Sequence, residues 1–182
     1  MKVLLALALI VIIILIIYVS KQIISPLLGQ LPDNDITQEM KRRINKLLVH
    51  LMTNIDQYNK KEREVIEKIW RNYNDNNMRE NLDPDPPHDT TYIIGKGSTI
   101  AVCLKQIHNI DTLTFVMIHE LSHMGLADME HPLEYWQIFK FLLIEATKMN
   151  LLNCINYSKY PVKYCGLLLD ANPLFSDHVK PI

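Results

Sequence analysis

The sequence has no C-x-x-C pair. Its three cysteines, Cys103, Cys154 and Cys165, are odd in number and widely spaced. That excludes a zinc knuckle and a scaffold built on disulfides. Cys154 and Cys165 are the one pair that could bridge in an oxidising compartment, although small buried hydrophobes are the simpler expectation for all three. A basic excess is also missing: 19 Lys and Arg stand against 20 Asp and Glu, for a net charge of −1. Nucleic acid is therefore not an expected partner. There is no internal repeat. Gly95-Lys96-Gly97 is too short for a phosphate loop and reads as a turn. With 48% hydrophobic residues the chain is too apolar for general disorder. About 160 residues outside the N-terminal segment suffice for one domain with a single core. Nothing in the pattern specifies an oligomeric state.

What is present begins with "VLLALALIVIIILIIYV", residues 3–19, without charge, Pro or Gly. As a helix it would rise about 26 Å, close to the ~30 Å hydrocarbon core of a bilayer. The exit "IIYVSKQ" lacks a small-x-small cleavage site, so an uncleaved anchor over 1–21 is expected, giving a single-pass membrane protein. Lys2 with the α-amino group on one flank and Lys21 on the other leave its side undecided. Pro, Gly and acids over 22–36 read as a linker.

Beyond the linker, Ile44, Leu47, Leu48, Leu51, Ile55 and Tyr58 recur at three- and four-residue steps. They predict an amphipathic helix capped by Asp35 or Thr37. A second helix near 61–73 carries Val65, Ile66, Ile69, Trp70 and Tyr73 on one face. Together they form a helical segment, 37–75, packing on the core. The polar, Pro-rich stretch 72–89 reads as a long loop whose length permits a lid. Two β-rich runs, near 91–94 and 98–104, flank the Gly-x-Gly turn as a hairpin. Next comes an apolar helix, capped by Asp111 or Thr112 and stopped at Gly125. Another starts with Pro132 in its first position and His131 as cap. Residues 162–170 read as a last strand.

The chemistry sits in "HELSHMGLADMEH", residues 119–131. Positions four apart share a helix face, so His119 and His123 can offer two imidazoles to one ion. Glu120 points about 100° away, where it can reach a water beside that ion. This is the layout of two zinc ligands and a general base. The other residues of this helix are mostly buried hydrophobes, among which an imidazole needs a partner. Four residues are candidates for a third ligand: Asp128, Glu130, His131 and Glu145. His131 is best placed, because the turn after Gly125 returns the next helix start toward the first. Glu145 lies about 21 Å further along that second helix.

H-E-L-S-H followed seven residues later by His131-Pro-Leu-Glu-Tyr-Trp resembles the SprT-like and WLM-type zinc metallopeptidases. The stretch from about 90 to 170 also resembles uncharacterised metallopeptidases of large DNA viruses. The resemblance implies an α+β, zincin-like domain over 90–182: an H-E-x-x-H helix, a small sheet and a following helix. It implies Zn2+ held by His119, His123 and His131, with Glu120 as catalytic base. Tyr135 and Trp136 would pack beneath the third ligand, and the strand near 98–104 would be an edge strand binding an extended peptide. Tyr160, Tyr164 and His88 are candidates for stabilising the oxyanion. A DNA-repair role is not carried over, since the chain lacks a basic patch and a zinc ribbon. The expected function is thus a zinc metallopeptidase anchored in a host or virion membrane, acting on protein or peptide substrates. The alternative is an inactive zincin-fold structural or interaction protein of a viral membrane.

Overall fold

The structure, a computed structural model, describes residues 9–16, 28–82, 90–105, 109–126 and 131–182. Helix α1 (Asp35–Thr53) starts where the Asn34 side chain accepts the Thr37 N–H at 3.1 Å. Thr37 reciprocates, its hydroxyl accepting the Asn34 N–H at 3.2 Å. The cap is therefore Asn34, one residue before the expected Asp35, and Thr37 supplies the other half of the capping box. Helix α2 (Lys60–Asn72) repeats the device with Asn59 and Glu62. Met40, Ile44, Leu47, Leu48 and Leu51 of α1 and Val65, Ile66 and Ile69 of α2 are buried. Trp70, expected on that face, is 45% exposed. It lies at the margin of the stripe, and the narrower set at 65, 66 and 69 makes the contact.

Helix α3 (Ile110–Gly125) is buried on nearly every side. Its cap is Asn109, whose side chain accepts the Asp111 N–H. Asp111, an expected cap, instead bonds the Arg43 guanidinium at 2.6 Å and ties α3 to α1. Gly125 is still helical, and Leu126 is the C-cap. A Cβ on Gly125 would lie 3.1 Å from Val65 Cγ1, so this glycine permits the close approach of α2. Helix α4 (Leu133–Lys148) follows with Pro132 as its cap and His131 just outside.

Four strands form one sheet: β1 (Leu28–Gln30), β2 (Met78–Asn81), β3 (Tyr92–Ile94) and β4 (Thr99–Val102), in the order β1-β2-β4-β3. β2 and β4 run parallel, and the other pairs are antiparallel. The β3–β4 hairpin matches the expected one. Two expectations fail. The stretch 72–89 contains β2, an inner strand with Met78 and Asn81 buried. Its residues "MREN" have little intrinsic β preference, and pairing on both sides recruits them. β4 is consequently interior, flanked by β2 and β3, and cannot add a peptide strand. Residues 83–89 of the expected lid lie outside the described residues.

The last expected strand is a hairpin, β5 (Val162–Tyr164) and β6 (Leu167–Leu169), turning at Cys165 with φ 50°. Cys165 is bonded to Cys103, at the end of β4, and Cys154 is the free cysteine. The Cys154–Cys165 pairing is thus replaced. The Tyr164 hydroxyl donates to the Cys103 carbonyl at 2.8 Å, which lays the hairpin across the end of β4.

Among the described residues no helix is long and apolar enough to cross a membrane. The described part of the expected anchor is a helix over 9–16 only. The single-pass membrane expectation is overturned, and residues 1–8 and 17–21 lie outside the described residues. What is described is a mixed α+β structure in which helices α1 to α4 and the sheet contribute to one core.

The disulfide spans a sequence separation of 62 residues. Replacing Cys103 and Cys165 together by Ser should cost about 2–4 kcal/mol in urea unfolding. Cys154→Ser should leave the midpoint unchanged. A loss confined to Cys154→Ser would refute the pairing.

Candidate metal centre

The last two turns of α3 carry His119 and His123, one above the other. The chain then returns and sets His131 against them, immediately before α4. His119 Nε2 is 3.4 Å from His123 Nε2 and 3.4 Å from His131 Nε2. One ligand atom from each of the three rings lies within 4.8 Å of the others. A tetrahedral ion with bonds of about 2.0–2.1 Å holds its ligand atoms about 3.3–3.4 Å apart. The two pairs that include His119 match that spacing, and all three rings are close enough to hold one metal ion.

Helix α4 supplies the floor. The Tyr135 ring, fully buried, lies 4.5 Å from the rings of both His123 and His131 and 5.2 Å from His119. Its hydroxyl points at the His119 carbonyl at 3.4 Å. Trp136 sits 5.9 Å from His131, and Phe139 5.5 Å from His119. Tyr135 and Trp136 therefore pack on the third histidine as the resemblance implied. Phe139 was not foreseen, although His131, Tyr135 and Phe139 follow one another at four-residue steps and so share a face.

This apolar box controls protonation. Burial, reinforced by His123 and His131, pushes the His119 imidazole down to about 3. Burial and His131 push His123 down to about 4. Both rings are neutral at physiological pH, the form that binds a metal. His123 Nδ1 is buried without a hydrogen-bond partner. With its Nε2 in the cluster, a neutral His123 ring that ligated there would carry its proton on Nδ1.

Glu120 is 5% exposed, and its Oε1 lies 4.0 Å from His119 Nε2. Burial raises its carboxyl to about 8. The remaining candidates lie elsewhere. Glu145 accepts from Tyr58 Oη at 2.8 Å and from Lys148 Nζ at 2.7 Å, so it is engaged near the far end of α4. Tyr164 is buried, and its hydroxyl is committed to Cys103 and Thr91. Tyr160 is 68% exposed. Asp128, Glu130 and His88 lie outside the described residues.

Without metal, Glu120 holds a proton in the folded state that it releases on unfolding, because its folded pKa of about 8 exceeds its ordinary value of 4.5. The stability contributed by this group is lost as pH rises through 8. The two histidines act oppositely. Their lowered values remove stability as pH falls below 6.5 toward 4 and 3. Metal-free protein should therefore lose on the order of 1–2 kcal/mol between pH 6.5 and 8.5, and Glu120→Gln should flatten that limb. Urea unfolding at both pH values in chelator checks this, and an unchanged slope in the variant would assign the limb to another group.

No family model matches the chain, and no solved structure matches it. An uncharacterized protein of Acanthamoeba polyphaga mimivirus is 31% identical over 138 residues, which cover 73% of this chain and 68% of that protein. The chain belongs to the family of that viral protein.

Proposed function

We propose that the protein is a zinc-dependent peptidase of zincin-like architecture, with His119, His123 and His131 as metal ligands and Glu120 as general base. The observation that carries the reading is the convergence of three Nε2 atoms with a buried carboxyl 4.0 Å from one of them. Three imidazoles and no thiolate or further carboxylate among the described residues are a donor set suited to zinc with one position left open. When bound, zinc supplies Lewis acidity, polarising a carbonyl oxygen and making a water molecule acidic near neutral pH.

The chain's own residues do the rest. Glu120 is held by the rigid end of α3 beside the ligand cluster; burial alone favours its protonated form, and the charge of a cation held by the three rings would favour the carboxylate that a general base requires. Its Oε1 accepts the proton of the attacking water and hands it to the departing amine. Tyr135 keeps the three rings in one orientation, and its hydroxyl fixes the backbone at His119. The exposed His131 marks the solvent side, from which a peptide reaches the centre.

Glu120→Gln should keep about one zinc per chain while peptide hydrolysis falls by about 10²–10⁴. A mixed peptide library read by mass spectrometry measures the turnover, and elemental analysis measures the metal. Turnover that survives the substitution, or its absence from zinc-loaded wild-type protein, contradicts the reading.

A further inference from the structure

A cavity of about 420 Å³ lies beside the metal centre, between α4 and the C-terminal segment. Trp136 forms one wall; Pro173, Phe175 and Val179 form others. The same indole packs 5.9 Å from His131. The cavity thus begins one side chain away from the ligand cluster. We propose that it receives a large apolar side chain, aromatic by preference, from the substrate residue next to the cleaved bond. This inference rests on the metal-peptidase reading and names its substrate class.

The lining excludes other occupants. None of its described residues is ionised, so an acidic or basic side chain would lose its hydration with nothing in return. Two polar groups of the wall are engaged within the protein. The Asn172 carboxamide donates to the Ile155 carbonyl at 2.8 Å and accepts the Leu174 N–H at 3.0 Å. The Ser176 carbonyl accepts Lys140 Nζ at 2.7 Å, one turn along α4 from Trp136. These bonds hold the segment against α4, and the space is lined by Trp136, Ala171, Pro173, Phe175 and Val179 with two uncharged serines, Ser158 and Ser176. Phe175 is 47% exposed there, although it flanks buried Pro173. The volume falls in the range of small-molecule pockets and admits a whole aromatic ring. In an extended peptide, side chains on one face recur every ~7 Å, so one residue beside the metal centre reaches across the indole.

The test uses two small hydroxamates that chelate zinc and differ only in side chain, benzyl against methyl. Calorimetry on zinc-loaded full-length protein should show the benzyl compound binding at least about tenfold more tightly. Phe175→Ala, which opens the wall, and Ala171→Phe, which fills the mouth at an exposed position, should each bring the ratio toward one. Equal affinities in the wild type would overturn the pocket and leave the metal centre standing. A benzyl preference that both variants retain would also overturn it, since the selectivity would then arise elsewhere. Failure of both compounds to bind would remove the metal-peptidase reading and this inference with it.

Discussion

Helix α3 has no polar face, and it carries two imidazoles and a carboxyl into the core all the same. The rest of the molecule follows from that conflict. α1 and α2 cover one side, the sheet with its hairpin clasp another, and α4 the third. Dry surroundings hold His119 and His123 neutral and raise Glu120. His119 is partly exposed and His131 stands at the mouth beside it, so the three rings are close enough to hold one metal ion.

The aromatic floor makes that arrangement specific. Tyr135 and Phe139 contact His119 from successive turns of α4, and Tyr135 also touches His123 and His131. Ring orientation is then set by packing before any ion binds, which lowers the reorganisation required on binding. The disulfide between Cys103 and Cys165 acts at the end of β4. It pins the β5–β6 hairpin, and with it Tyr164, across the end of β4.

How much of this could be read from residues alone differs by element. Helices were legible because their buried stripes recur every three or four residues. So was the pairing of His119, His123 and His131, because one helical turn and one reversal bring them together. Cap residues slipped by one to three positions, since Asn, Asp and Thr cluster at each helix start and compete for the same role. β2 was not legible: "MREN" is polar, and its place comes from neighbours distant in sequence. The cysteine pairing failed for the same reason, as Cys103 meets Cys165 only through the sheet and hairpin. Of the run at 3–19 only residues 9–16 are described, and among the described residues no helix is long and apolar enough to cross a membrane.

The central claim is that three histidines hold one ion. Elemental mass spectrometry on the protein purified without chelator tests it most directly, with His119→Ala as control. About one zinc per chain in the wild type, lost in the variant, is the predicted result. A folded wild type with no bound zinc, or a variant that keeps it, would contradict the account.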